Sequence, residues 1–322
     1  MDRQDGFRCW TTDERNPVTV DRWEDVGRVL AGEAFVWLDL RGSASGQGQA
    51  RARVAGLPEV ETGYFFAPEQ GHRFLSSPGG VLLFLMEPSD GGEGFFPLRI
   101  WLTPGRMVTW GPEGSLSTDA LWRRLQTEGW TRSAPVIRGL LEEVSVRLSG
   151  LVEGLEDRVD DLEGSLMDAS GDRQEDHIGV LSDLRRKIIV LRRHCAALAD
   201  VCSELEDTGI PGLDGENGNM HLGALSKRSA LLLEALRDLR DRVQVVQEEL
   251  NHREGERTGR IIYSLSIVGS IFLPLTFLTG LFGINVGGIP GSRSPLGFGL
   301  FVLAMLAVGL GEYLLLRRAR WL

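Results

Sequence analysis

The stretch IIYSLSIVGSIFLPLTFLTGLFG, residues 261–283, runs for 23 residues without a charge. An α-helix rises about 1.5 Å per residue and a bilayer core is about 30 Å thick, so roughly 20 apolar residues cross it. A second stretch, 296–316, has 21 residues and one charge, Glu312. The mean hydropathy of the whole chain is only −0.07, because a polar remainder dilutes these two runs. The sequence therefore predicts a C-terminal transmembrane hairpin behind a large polar part, and excludes a purely soluble enzyme.

The flanks of the two runs predict an orientation. Arg253, Arg257 and Arg260 precede the first, and Arg317, Arg318 and Arg320 follow the second. Basic residues favour the cytoplasmic face of a membrane, which places both ends inside and the loop 284–295 on the far side. The opening MDRQDGFRCW has neither the apolar run nor the cleavage site of a secretory signal, so the polar part is expected in the cytoplasm. Residues 261–322 hold four Arg and one Glu, net +3, within a chain of net −10, leaving −13 on the first 260. So acidic a part argues against nucleic-acid binding, which needs a basic footprint, and suits attraction of cations. Cys9, Cys195 and Cys202 are too few and too dispersed for a disulfide framework, in keeping with a reducing compartment.

Upstream of Ile261 the apolar residues keep a helical rhythm. Leu222, Leu225, Ser229, Leu232, Leu236, Leu239, Val243, Val246 and Leu250 recur at threes and fours, with no breaker between Gly223 and Gly255. One helix is predicted from about Asn219 through Gly283, 65 residues and about 97 Å long. Two earlier series, Leu141 to Leu162 and Leu181 to Leu205, complete a bundle with coiled-coil-like seams. DASGDR (168–173) and TGIPGLDGENGN (208–219) separate the three. The first 132 residues mix short apolar runs with Gly and Pro. Strands are predicted at 34–40, 80–86, 97–103 and 105–111, and helices at 20–31 and 118–129, the latter capped by Thr118 or Asp119. Residues 41–52 read as a loop, and the strand order stays open. The expected organisation is a cytoplasmic α/β domain (1–132), a helical bundle with the stalk helix (133–260) and the membrane hairpin (261–322), an α+β membrane protein.

FGIN (282–285) followed by VGGIPG (286–291), at the end of a long stalk helix, resembles the CorA-type metal-ion transporter family. Ile284 stands where the family signature has Met, and Gly-Ile-Asn is similar to the ZntB, zinc-transporting branch. The resemblance implies a funnel-shaped homopentamer in the inner membrane, multi-pass with cytoplasmic termini, its pore lined by the first span. It also implies zinc as cargo, with cadmium, nickel and cobalt as related ions, and uptake coupled to protons in some members. The partners implied are further copies of the chain, membrane lipid, divalent cations and protons. No tightly bound cofactor is expected, the divalent cation being transported or regulatory. A magnesium and cobalt channel of the CorA type is the nearest alternative. A coiled-coil membrane tether or sensor, with spans that only anchor it, is the alternative of another class. No Ser-His-Asp set, Cys-His pair, P-loop or dinucleotide fingerprint supports an enzyme.

Within this frame Gly283, Ile284 and Asn285 form the expected selectivity motif. Small divalent cations give up water reluctantly, so an entrance that recognises the hydrated ion needs oxygen acceptors such as the Asn285 amide. As an isolated residue Asn285 would read as a helix C-cap. Ile262, Gly269, Leu273, Thr276 and Gly280 recur at 7, 4, 3 and 4 and share one helix face, a candidate pore lining. Ile262 and Leu273 would be apolar constrictions, although Gly and Thr also serve close packing between membrane helices. Pro274 is expected to kink the helix. No Asp, Glu, His or Cys lies between Ile261 and Gly283, whereas dehydrated zinc prefers nitrogen and sulfur ligands. The ion is therefore expected to keep much of its water. Glu312 reads as interfacial or paired with Arg317 ahead of a proton-coupling role. In the polar part His177, His194, Cys195, Cys202 and His221 are candidate zinc ligands. The two Cys fall on the helical seam, where a thiol behaves as a small hydrophobe, and any cytoplasmic ligand set stays undefined. Glu248/Glu249 and Asp160/Asp161 read as solvated faces, those on the stalk able to concentrate cations.

Overall fold

In the computed structural model of the chain, residues 6–13, 16–42, 46–67, 74–92, 94–168, 174–208, 216–283 and 296–318 are described. Two compact units divide it, residues 1–245 and 246–322.

The first unit begins with strands β1 (Phe7–Asp13) and β2 (Asn16–Val20), helix α1 (Trp23–Leu30) and strand β3 (Val36–Arg41). Helices α2 (Gly46–Val54) and α3 (Glu59–Phe66) follow, then β4 (Phe74–Ser77), β5 (Gly80–Pro88), β6 (Phe95–Leu102), β7 (Arg106–Gly111) and α4 (Leu116–Glu128). The seven strands form one sheet in the order β2-β1-β3-β7-β6-β5-β4. Among the described residues only β3 and β7 pair in parallel, Leu38 opposite Val108, the pairing that requires a long crossover. Residues 42–105 supply it. The interior strand β3 is buried along Val36–Leu40. On one side a core of Cys9, Val26, Leu38, Ala52, Ala55 and Phe65 fills the space under α1–α3. On the other, Trp122 of α4 meets Trp37 at 5.5 Å and Trp10 at 6.0 Å.

The four predicted strands are present, and three readings of this region are corrected. The helix expected from residue 20 begins at Trp23, because Val20 is taken by β2 and pairs with Cys9. Residues 46–52, expected as loop, belong to α2. GQGQARARV offers no apolar stripe. The helix is held instead by burial of Ala52 and by the Arg51 guanidinium lying 5.1 Å over the Phe7 ring and 5.0 Å over Trp23. The cap of α4 is Ser115, whose Oγ accepts from the Thr118 amide at 3.3 Å. Glu87 of β5 sets this register, its carboxylate accepting from Ser115 Oγ at 2.6 Å and from the Ser117 amide at 2.5 Å.

Asp39 ties the sheet to α4. It is 1% exposed and accepts from Arg8 Nη2 at 2.8 Å, Arg41 Nε at 2.9 Å and Thr109 Oγ1 at 2.7 Å. Arg8 and Arg41 reach on to Asp119 at 2.8 and 2.5 Å. Burial pushes the Asp39 carboxyl up to about 6, against the pull of the Arg8 guanidinium.

Helices α5 (Ser133–Asp168), α6 (Gln174–Asp207) and α7 (Glu216–Gly283) carry the three apolar series. Leu181, Leu184, Ile188, Leu191, Cys195, Leu198, Cys202 and Leu205, the seam of α6, are all buried, as are Leu236, Leu239 and Val243 of α7. The helix α7 has 68 residues, starting at Glu216 within the segment expected as linker. Arg242 joins it to α5, meeting Asp160 at 2.5 Å and Glu163 at 2.6 Å. These two carboxylates hold the guanidinium's pKa above its ordinary value, the Glu163 bond contributing most. Asp160 thus pairs with the stalk helix and is not merely part of a solvated face.

Candidate functional site

The second unit consists of α7 from Val246 onward and α8 (Gly297–Arg318). Both helices are long and apolar enough to cross a membrane, with mean hydropathies of 2.0 and 2.1 over their most apolar windows. No part of either window is buried within the chain, so these are not core helices of a soluble fold. Arg257 and Arg260 are exposed and Arg253 is partly buried on α7 below the first span, and Arg317 and Arg318 fall in the last turn of α8.

Helix α8 runs back along α7. The Phe282 and Phe301 rings lie 5.0 Å apart, and a Cβ on Gly309 would stand 3.9 Å from Leu275 Cδ1. The side of α7 turned to this contact is marked by the partial burial of Ile267, Ile271, Pro274, Leu275 and Leu278. Its counterpart on α8 is Phe301, Met305, Val308, Gly309, Glu312 and Leu316, all partly buried.

The five candidate lining residues lie elsewhere on α7. Ile262, Gly269, Leu273, Thr276 and Gly280 are all exposed, Leu273 by 74%. At about 100° per residue they fall within roughly 60° of arc, centred opposite the residues that meet α8. α7 therefore brings them together on one face that none of the described residues of the second unit covers. Ser266 shares this face, a residue missed when Ile262 was related to Gly269 by a single seven-residue step. Its signal is the intervening i+4 position. Ser266 Oγ donates to the Ile262 carbonyl at 2.8 Å, and Thr279 Oγ1 donates to the carbonyls of Leu275 and Thr276 at 3.0 and 2.9 Å. The helix continues through Pro274. A proline has no amide hydrogen for the carbonyl four residues back, so the Ser270 oxygen, beside the stripe, loses its usual donor. Gly283 is the last residue of α7. Ile284 and Asn285 lie outside the described residues.

Glu312 belongs to the stripe that faces α7. Its Oε2 is buried and has no hydrogen-bond partner among the described residues. Among those residues it also forms no ion pair, so the pairing with Arg317 suggested by their spacing is not made.

In the first unit Cys195 and Cys202 are fully buried in the helical seam, and burial pushes their thiols up to about 11 and about 12. The His194 ring lies 4.1 Å from Phe95, and His177 Nε2 is 3.2 Å from Ser165 Oγ. The His221 side chain is outside the described residues. Among the described residues no group of three or more His, Cys, Asp and Glu is arranged to hold a metal ion.

The profile of one protein family, described as CorA-like Mg2+ transporter protein, matches residues 32–318. The chain belongs to this family. Among relatives, the divalent cation transporter CmaX of Pseudomonas aeruginosa is 30% identical over 300 residues, 91% of this chain and 89% of CmaX. The zinc transport protein ZntB of Yersinia enterocolitica is 35% identical over 144 residues, 45% of this chain and 44% of ZntB, so less than half of that relative is matched. Among solved structures, full-length CmaX superimposes with a TM-score of 0.79 at 27% identity, covering 100% of both chains. The CorA magnesium transporter of Methanocaldococcus jannaschii does so with a TM-score of 0.76 at 17% identity over 98% of each chain, and shares the fold. The CmaX and CorA structures match over nearly the whole chain, so the sheet, the long helix and the apolar hairpin recur together in them.

Proposed function

We propose that the protein is a divalent-cation transporter of the inner membrane, assembled as a homopentamer in which five copies of α7 surround the ion path. Residues 1–132 and 133–260 would form the cytoplasmic funnel and 261–322 the membrane hairpin, with both termini inside. The observation that carries this reading is the charge-free stripe from Ile262 to Gly280, exposed and opposite α8. A span that only anchors a tether needs apolarity all round and has no reason to gather Gly269, Thr276 and Gly280 on its unpaired side. A closed ring is how a two-span subunit encloses a pore.

The cargo in this reading is zinc, accepted with its water. Gly283 ends the helix, Ile284 follows, and Asn285 supplies one amide acceptor per subunit at the outer mouth. A neutral ring of this kind holds a hydrated dication by water-mediated hydrogen bonds and releases it readily. Zinc is favoured over magnesium by the ZntB match and by Gly-Ile-Asn at the motif. Cadmium, nickel and cobalt share the charge and similar hydration. Glu312 is the group assigned to proton coupling, being the sole carboxylate in either span and facing α7 with Oε2 unpartnered among the described residues.

The test is zinc and magnesium entry into liposomes containing the purified protein, with and without an imposed pH gradient. Zinc entry that rises with the gradient is expected, abolished by Asn285→Ala in an intact pentamer. Glu312→Gln should keep basal zinc entry and lose the response to the gradient. Magnesium entry indifferent to pH would reassign the cargo, and no flux of either ion would return the spans to an anchoring role.

A further inference from the structure

A cleft of about 390 Å³ opens on the first unit between the turn after β5, helix α5 and helix α6. It lies in the polar part of the chain and uses none of the residues assigned to transport. Its size falls within the range of roughly 300–1,000 Å³ typical of small-molecule sites.

The cleft is built around missing side chains. Gly91 and Gly92 line it from the turn, and Gly150 and Gly154 from α5. At Gly92 φ is +72° and a Cβ would come within 2.4 Å of Leu151 Cδ2, so the turn backbone lies directly on α5. Gly150 and Gly154 differ, because a Cβ at either would meet nothing within 4 Å. A helical glycine costs about 1 kcal/mol relative to alanine. Nothing inside the chain approaches these two closely enough to require it. What they provide, one turn apart on one face, is open backbone beside the cleft.

The remaining walls are apolar on one side and cationic on the other. Phe95, Leu155 and Leu191 are among the lining residues, and the Phe95 ring is set in place by His194 at 4.1 Å. Arg158, Arg186 and Lys187 line it together with one carboxylate, Asp183. Asp183 is engaged twice, by Arg158 at 2.8 Å and Lys187 at 3.2 Å. Arg186 makes no ion pair among the described residues. Among its described residues the lining thus carries an excess of two positive charges on a chain of net −10, which is the reverse of what a cation-attracting surface needs.

We propose that this cleft binds a small aromatic phosphate of the mononucleotide class, its ring against Phe95 and the open glycine backbone and its phosphate at Arg158, Arg186 and Lys187. The apolar wall selects for a ring, since it would gain nothing from inorganic phosphate. The cationic rim selects for charge, since adenosine alone would leave Arg186 unanswered. Arginine is the side chain best matched to a phosphate, through paired N–H donors.

Calorimetric titration of the full-length protein in detergent with adenosine monophosphate tests this, with adenosine and inorganic phosphate as the other probes. The monophosphate should bind at least tenfold more tightly than either. Gly154→Leu should reduce that binding at least tenfold while raising helix stability, because the added side chain enters open space. Arg186→Glu, at an exposed position outside the Asp183 pair, should do the same without affecting folding. No binding at millimolar concentration would overturn the proposal. Equal binding of inorganic phosphate, or binding indifferent to both substitutions, would also overturn it. The readout is ligand binding alone, so failure of the transport reading leaves the test intact.

Discussion

Phe282 and Phe301 lock the far end of α7 to the start of α8, their ring centroids 5.0 Å apart at an interplanar angle of 54°. The contact falls one residue before Gly283, where the helix ends. It anchors the last described turn of α7 against α8. Aromatic pairs of this geometry contribute about 0.5–1.5 kcal/mol beyond area burial. A double-mutant cycle of Phe282→Leu and Phe301→Leu, read by thermal unfolding in detergent, should show coupling of that size. Either variant should also lower zinc entry into liposomes several-fold, because the end of α7 is then less firmly held.

Asp39 sits at the centre of a charge network spanning β1, β3, β7 and α4. Asp39→Ala would leave the Arg8 and Arg41 side chains, 23% and 13% exposed, without their buried acceptor. Removing one member of a buried pair costs about 3–5 kcal/mol, and denaturant unfolding of the full chain should show a loss of that order. Asp39→Asn keeps an acceptor oxygen and the side-chain shape, and should cost distinctly less.

The three thiols make an alkaline prediction. Cys9 and Cys202 are pushed up to about 12 and Cys195 to about 11, in each case chiefly by burial. The unfolded chain releases these protons near pH 9 while the native chain keeps them, so the unfolded state binds fewer protons above that pH. Stability therefore falls as pH rises above 9. Replacing all three with alanine or serine should flatten that part of the profile in thermal scans from pH 8 to 10.5. At pH 8 the native protein should resist iodoacetamide, which attacks thiolates, and react once unfolded.

The parts of the fold legible in the sequence are those whose signal is periodic and long. The series from Leu222 to Leu250 and the uncharged run after it announce α7, and only its first turn, at Glu216, was placed late. The strands at β3, β5, β6 and β7 are short apolar runs between turn residues and were visible for that reason. β1 and β2 were not, because FRCWTTD and NPVTV are too polar to stand out and are held by pairing with each other and with β3. α2 is held by the Arg51 side chain over Phe7 and Trp23, a tertiary contact with no local trace. The same is true of the Ser115 cap, whose register depends on Glu87, 28 residues away. At the candidate site, spacing alone grouped Ile262, Gly269, Leu273, Thr276 and Gly280. Which way that face turns relative to α8 required the contacts of Phe282 and Leu275. Glu312 shows the limit of spacing most clearly, since its distance from Arg317 in sequence suggested a pair that its position on the α7-facing stripe does not make.

The central claim is that the face of α7 opposite α8 lines the ion path. Single cysteines at Leu273, Thr276 and Gly280 on that face, and at Ile271, Leu275 and Leu278 on the other, can be treated with a small charged methanethiosulfonate reagent during zinc entry into liposomes. The native cysteines are buried and give little background. Modification at 273, 276 and 280 should block entry, with protection by added zinc, while 271, 275 and 278 should be unaffected. Block confined to 271, 275 and 278, or no difference between the two faces, would contradict the account.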